Sequence, residues 1–491
     1  MVFKPLLLGA CIAWTGARAL SLHQRDVPAV VKLPIQRGSD KPNRLAKRAD
    51  VVSNSFGVAV CLFFFTHISD DQGLRVLQDP GLLPMYYFDL DIGTPPQTIQ
   101  VGLDTSSGYL AVTATNSSWC KTSNCSSSIF DVGASSTYQF VNDDFNHTYA
   151  GGGLYGNEVF IGDFGSDDVV IDDISLSAMD LAVNYADSTG HVLGLGYIPG
   201  KESDAPATIL QALIDGGHIK SAAYSLWVDD STDEGTEGTI LFGGVNTAKY
   251  TGELHTMSIP ALDGVHYLPV VLVTEVTLQN GTSRSQTSDL PAYMALDSLS
   301  TKTFLPNKIV EGIYQDLDVL WDDTVVPTID CAMSQSNYNI TFTFIDFSIS
   351  SPLSDFIGKG DGDTCEFDII PSFGETLVLA DNFLRNAYVV YDLSNNEISM
   401  APRNLEESED QILEIGSGTT SISGVFESTT AVATVPTAVV SPSQVLNFPA
   451  KSTTSASTAT STSSKGLAAA PTANPNNIMA GIVGAGLLMV L

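Results

Sequence analysis

Positive charge is scarce in this sequence. Its 491 residues carry 22 Lys and Arg against 55 Asp and Glu, a formal net charge of −33. A nucleic acid would be repelled rather than held, so a nucleic-acid binder is excluded. Adhesion to an anionic membrane surface through a basic patch is excluded for the same reason. Histidine and cysteine are also few, at seven and six. The histidines are scattered, and the neighbouring Cys120 and Cys125 lack the two further ligands of a zinc site. No metal and no cofactor is expected. There is no Gly-x-Ser-x-Gly elbow, no His-Glu-x-x-His and no Walker loop. Gly151-Gly152-Gly153 lacks the strand-to-helix setting of a phosphate loop. Apolar residues, by contrast, make up 44 %. That is enough for a large core and excludes wholesale disorder.

The charge is unevenly spread. Residues 1–48 hold nine Lys and Arg and two Asp, a net of +7, and the remainder carries −40. Lys4 followed by the apolar run Pro5–Trp14 and by Ala17-Arg18-Ala19 predicts a secretory signal over residues 1–19. Residues 20–48 are basic and end in Lys47-Arg48, which predicts a propeptide processed after Arg48. While attached, it is expected to hold the acidic body by charge. Residues 49–79 fit no class. They contain Gly57–Phe65, too apolar for a linker and too short for a span, and Cys61, which leaves an odd cysteine. A retained intron and a propeptide strand are the two alternatives. Residues 404–477 read as a stalk, rich in Ser, Thr, Ala and Pro beyond 416. The tail at 478–491 is short for a span of about 20 residues and carries no charge. After a polar spacer and small residues, that layout reads as a glycolipid-anchor signal, with a true C-terminal membrane anchor as the alternative. Five glycosylation sequons stand at Asn116, Asn124, Asn146, Asn280 and Asn339.

The central region predicts an all-β body. Phe88, Leu90 and Ile92 alternate with acids, as do the apolar Ile99, Val101 and Leu103 and the later Ile340, Phe342 and Phe344 with polar neighbours. Gly93-Thr94-Pro95-Pro96 marks a turn between the first two strands. Helices are expected to be few, one after Pro206 ending at Gly216-Gly217 and another over 306–316. Two segments resemble each other across 193 residues: Val101-Gly102-Leu103-Asp104-Thr105-Ser106-Ser107 and Met294-Ala295-Leu296-Asp297-Ser298-Leu299-Ser300. Each is an apolar strand end, an Asp, a hydroxyl residue, a variable position and another hydroxyl residue. The repeat predicts two similar lobes, about 80–250 and 251–403.

With these motifs the chain resembles the pepsin-like aspartic proteases over about residues 80–403, and among them the fungal yapsin and candidapepsin groups. Ile92-Gly93-Thr94-Pro95-Pro96-Gln97 resembles the entry motif, and Val192-Leu193-Gly194-Leu195-Gly196-Tyr197, Leu241-Phe242-Gly243-Gly244 and Ala387–Asp392 resemble later ones. The resemblance implies a bilobal fold with the cleft between lobes, and Asp104 and Asp297 as the catalytic pair. Two carboxylates at close quarters cannot both ionise, so they share a proton. The charged member takes a proton from water and the neutral member polarises the scissile carbonyl. Thr105 and Ser298 are expected to exchange hydrogen bonds beneath the pair, and Ser107 and Ser300 to donate to its outer oxygens. Tyr149, 45 residues after Asp104, and Gly151 take the place of the flap that closes over substrate. An ordinary cross-strand aromatic is the alternative for Tyr149. The disulfides implied are Cys120–Cys125 and Cys331–Cys365.

The departures fall in the defining motifs. Ser106 and Leu299 stand where the family has glycine, Ala111 replaces a tryptophan that supports the flap, and Ala380 replaces a glycine before Asp381. At positive φ, a side chain at such a position would be strained. The implied function is a secreted, cell-surface aspartic endopeptidase, a monomer acting on proteins or peptides at acidic pH and held at the membrane through a C-terminal glycolipid. The alternative is a weak or inactive surface glycoprotein of the same fold that binds peptides or wall components.

Overall fold

A computed structural model describes residues 86–417 with short breaks, together with 20–24, 28–37 and 425–427. The predicted signal, Arg48, Cys61 and the 478–491 tail lie outside the described residues. So do Asn124 and Gly151.

The alternating segments fold as strands. Tyr86–Ile92 and Gln97–Asp104 pair antiparallel around the Gly93 turn, with Leu90 opposite Ile99 and Phe88 opposite Val101. Their apolar faces are buried in a core that also takes in Leu103, Leu193 and Leu195. Helices are few. Ile209–Asp215 starts at Thr208, whose side chain caps the Gln211 N–H, and ends where Gly217 takes φ +75°. Asn307–Leu317 buries Ile309, Val310, Ile313, Tyr314 and Leu317, one stripe at helical spacing.

The internal repeat is structural. In the first half, Gln97–Asp104 runs parallel to Val192–Gly194, which itself lies antiparallel to Leu110–Thr113. In the second half, Ala292–Leu296 runs parallel to Val378–Leu379, which lies antiparallel to Thr303–Leu305. In each case a strand from far along the chain enters between the strand before the Asp and the strand after it. Each Asp is thereby held at a strand end inside a closed set of neighbours. The fold is all-β with two lobes, as expected.

Among the described residues one sheet has 14 strands. From one edge it runs through Leu254–Ser258, Glu397–Pro402, Ala387–Asp392, Ala223–Val228 and Glu237–Phe242. It then passes through Val31–Arg37 into Tyr86–Ile92 and the rest of the first lobe. Val31–Arg37 thus lies inside the sheet. Its residues Val31 through Gln36 face Phe242 back to Glu237, and Gln36 and Arg37 pair with Tyr87 and Tyr86. Val31, Leu33 and Ile35 are buried, while Lys32, Pro34 and Gln36 are exposed. Leu22–His23 pairs with Ile412–Ile415, and Leu20 and Leu22 are buried. The segment expected to leave as propeptide is therefore packed into the body. Among its lysines Lys32 is described, and it pairs with Asp410. Lys41 and Lys47 lie outside the described residues.

Strands continue beyond residue 403. Ile412–Ile415 and Val425–Glu427 are strands, the first joined to Gly244–Asn246 and the second to Leu254–Ser258. Leu413 and Ile415 carry enough apolar surface to seat this stretch, which the polar composition beyond 416 masks. Both disulfides form as paired above, Cys120–Cys125 and Cys331–Cys365.

Candidate active site

Asp104 is the last residue of its strand and is completely buried. Its carbonyl accepts the Leu195 N–H at 2.7 Å, fixing the Asp loop against the Val192–Gly196 segment. That approach explains two glycines. A Cβ on Gly194 would lie 2.4 Å from the Tyr109 nitrogen, and one on Gly196 2.5 Å from the Thr105 carbonyl oxygen. Asp297 follows Ala292–Leu296, and its N–H donates to the Leu379 carbonyl at 3.1 Å.

Thr105 and Ser298 join the two halves. The Thr105 N–H donates to Ser298 Oγ and the Ser298 N–H donates to Thr105 Oγ1, each at 3.1 Å. The Thr105 hydroxyl donates onward to the Leu296 carbonyl at 2.7 Å, and the Ser298 hydroxyl to the Leu103 carbonyl at 2.6 Å. Both side chains are fully buried. Four hydrogen bonds therefore cross between the two Asp loops with no exposed partner.

The two carboxylates have different surroundings. Asp104 Oδ1 accepts the Ser106 N–H at 2.7 Å and the Ser106 hydroxyl at 2.6 Å, and Oδ2 accepts the Ser107 hydroxyl. Asp297 Oδ1 accepts the Leu299 N–H at 2.9 Å, and the Ser300 N–H also favours its charged form. The expected donation from the Ser300 hydroxyl is absent. That hydroxyl turns to the Lys302 carbonyl at 3.0 Å, an acceptor two residues away on its own turn. Burial raises the Asp297 pKa to about 7, the Asp104 charge adds to the rise, and the Leu299 and Ser300 N–H groups oppose it.

The glycine replacements are not strained. Neither Ser106 nor Leu299 is among the residues with positive φ. Each presents its backbone N–H to the preceding Asp, which is what the turn requires. Ala380 likewise keeps an ordinary φ of −93° at the start of Asp381–Leu384. The Ala111 position is closed by aromatics from elsewhere. Ala111 packs with Phe145, Phe160 and Ala182, and Tyr109 and Phe164 cover that cluster.

Tyr149 lies on the hairpin of Gln139–Ala150 with Asn157–Ile171, opposite Glu158. Its side chain lies outside the described residues. Two residues earlier, His147 packs edge-on to Tyr109, ring centroids 5.8 Å apart. Burial lowers the His147 pKa, and the Asp104 charge opposes that shift. Among the sequons, Asn116, Asn146 and Asn280 are exposed and Asn339 is half-buried. Sequence reasoning passed over His147 and the Ser106 hydroxyl. The spacing to Tyr149 would have found the first. The second was legible only as a missing glycine.

A second anchor lies behind the site. Tyr86 and Arg385 both hydrogen-bond the buried Asp381 carboxylate, and Arg385 also reaches Asp355 at 3.4 Å. The Asp381 N–H donates to the Ser300 carbonyl at 3.1 Å, so this network touches the Asp297 loop. Among the described residues no group of three or more His, Cys, Asp or Glu converges as a metal site would need.

A family model for eukaryotic aspartyl proteases matches residues 85–403. The chain is 36 % identical over 489 residues to a probable aspartic-type endopeptidase, opsB, of Aspergillus fumigatus, covering 94 % of this chain and 93 % of that one. The corresponding Aspergillus oryzae protein is 35 % identical over 455 residues, 88 % of each. Aspartic proteinase yapsin-3 of Saccharomyces cerevisiae is 34 % identical over 340 residues, 64 % of this chain and 65 % of its own. Two aspartates on mirrored strand ends, tied by exchanged hydroxyls, and this span of likeness lead to one conclusion: the chain belongs to the eukaryotic aspartyl protease family and is an aspartic endopeptidase.

Proposed function

We propose that this endopeptidase works at acidic pH with Asp104 as base and Asp297 as acid. The observation that carries the assignment is the Ser107 hydroxyl donating to Asp104 Oδ2, where the matching Ser300 hydroxyl turns to the Lys302 carbonyl; burial and the Asp104 charge also raise the Asp297 pKa. With one proton shared by the pair, Asp297 holds it and the pair's charge sits on Asp104. A water between them gives a proton to Asp104 as its oxygen attacks the scissile carbonyl carbon. Asp297 donates to the carbonyl oxygen; the tetrahedral species then collapses as Asp104 passes its proton to the leaving amine and Asp297 recovers one from the gem-diol hydroxyl. The Thr105–Ser298 exchange keeps the two carboxyl groups in register. Because Ser106 and Leu299 present the donors that glycines would, an active enzyme is favoured over an inactive peptide-binding glycoprotein.

The same proposal places the enzyme at the cell surface, as a monomer acting on proteins or peptides. Supporting it are the signal-type N-terminus, the sequons, the dibasic Lys47-Arg48 and the small-residue, apolar tail of a glycolipid anchor. Two disulfides fit an oxidising compartment. Among the described residues no helix is long and apolar enough to cross a membrane. The test is cleavage of a denatured protein substrate between pH 3 and 6 by the wild type beside Asp104→Asn and Asp297→Asn. Both variants should be inactive; activity in either equal to wild type refutes the assignment.

A further inference from the structure

We propose that the Ser106 hydroxyl fixes the dyad's negative charge on Asp104, which makes Ser106 a positioning residue of the reaction. The inference rests on the roles assigned above to Asp104 and Asp297.

It begins with two positions that match in the internal repeat. Ser106 and Leu299 each stand two residues after an active-site Asp, and each gives that Asp its backbone N–H. Beyond the backbone they differ completely. Ser106 adds a hydroxyl, 2.6 Å from Asp104 Oδ1, so one oxygen takes two donors from one residue. Leu299 adds only an alkyl group, which can donate nothing.

The next hydroxyl position repeats the imbalance. The Ser107 hydroxyl donates to Asp104 Oδ2, while the Ser300 hydroxyl donates to the Lys302 carbonyl instead of to Asp297. Asp104 thus receives two hydroxyl donors where Asp297 receives none from its own turn. Donors aimed at a carboxylate favour its ionised form, and they count for more where water is excluded. Asp104 is completely buried. In a pair sharing one proton, the better-solvated oxygen atoms keep the charge. A glycine at position 106 would leave that bias to Ser107 alone. The replacement that looks like damage to the motif therefore supplies a donor.

Other groups act on Asp104 and must be separated from Ser106. Asp297 faces it from the opposite loop. His147 faces it from the hairpin, and Tyr224 from the Ala223–Val228 strand. Tyr391, from the neighbouring Ala387–Asp392 strand, lies near Asp297. A charged His147 would also favour Asp104 as an anion, so the experiment is run with and without it.

The test is the pH profile of kcat/KM for the full chain and for Ser106→Ala, Ser106→Gly and Ser106→Thr. Loss of one charge-assisted hydrogen bond should move the acid limb upward by about one pH unit in Ser106→Ala and Ser106→Gly. Ser106→Thr keeps a hydroxyl and should restore the limb. The same displacement should survive in a His147→Gln background. A second reading does not depend on turnover: the titration midpoint of the Asp104 carboxyl carbon, followed by NMR in chain labelled at aspartate carboxyls and assigned with Asp104→Asn. That midpoint should rise in Ser106→Ala. An unmoved acid limb and an unmoved midpoint in a folded Ser106→Ala would overturn the proposal. If the wild type cleaves nothing but the midpoint still moves, the hydroxyl's role stands and the base assignment for Asp104 falls.

Discussion

The hydroxyl exchange between the two Asp loops can be broken without making a hole. In Thr105→Val the new methyl takes the place of the hydroxyl at nearly the same volume. What is lost is chemical. The Ser298 N–H loses its acceptor and the Leu296 carbonyl loses its donor, both in a region with no exposed partner. A buried group left unpaired costs about 1–3 kcal/mol, so two should cost about 2–6 kcal/mol together. Guanidinium denaturation read by tryptophan fluorescence suits the measurement, since Trp227, in the Ala223–Val228 strand, and Trp321, beyond the Asn307–Leu317 helix, are both buried. Ser298→Ala removes the acceptor for the Thr105 N–H and the donor to Leu103, and should cost a similar amount. Because the two residues share their partners, the double variant should cost less than the sum, by about 0.5–3 kcal/mol. Activity gives a further sign: kcat should fall more than KM rises, because the loss is of alignment between carboxylates. A Thr105→Val protein with an unchanged midpoint and unchanged kcat would refute the reasoning.

Three other outcomes follow from the geometry. Asp297 is raised from 3.8 to about 7, so its protonated form is favoured in the folded chain; this contribution to stability is complete below pH 3.8 and is lost as pH rises toward 7. Wild type should melt higher at pH 4.5 than at pH 7.5, and Asp297→Asn should narrow the gap; a wider gap in the variant would refute this. Replacing Cys331 and Cys365 together by alanine opens a loop of 34 residues and should cost about 3–4 kcal/mol, seen as a lower denaturation midpoint. Asn146 is exposed and pairs across the hairpin with Ile161, which is 50 % exposed. A glycan there would lie on the solvent side, so Asn146→Gln should remove one endoglycosidase-sensitive mass step and leave kcat/KM within about twofold.

Much of this was legible because it depends on period and repetition. Alternating Phe88, Leu90 and Ile92 can bury one face only as a strand. Two Asp-hydroxyl segments 193 residues apart mark two equivalent strand ends. The exchange between Thr105 and Ser298 was readable for the same reason, since hydroxyls that follow equivalent strands meet when the strands do. What escaped was rotameric. Nothing in the sequence says that the Ser300 hydroxyl prefers the Lys302 carbonyl, a choice between acceptors a few ångströms apart. Nor does a serine in place of glycine announce whether it strains a turn or donates to the carboxylate beside it. The sheet role of Val31–Arg37 was hidden by charge. Its alternation of apolar with polar residues is plain in retrospect, but the basic residues around it read as a removable front. Likewise Ile412–Ile415 is short enough to vanish beside a long polar stretch.

The position of Val31–Arg37 has a consequence for how this molecule can fail. The strand joins Glu237–Phe242 to Tyr86–Ile92, and it precedes the dibasic site at Lys47-Arg48. A chain cut there after folding would keep its sheet intact, because the strand is held by pairing on both sides and by buried Leu33 and Ile35. Once melted, however, it would separate into two polypeptides, and recovery would become a second-order encounter between them. Folding would be a property of the uncut precursor, and the processed molecule would persist on the height of its unfolding barrier. Dilution would then govern whether a heated sample returns, and it would leave the uncut chain untouched.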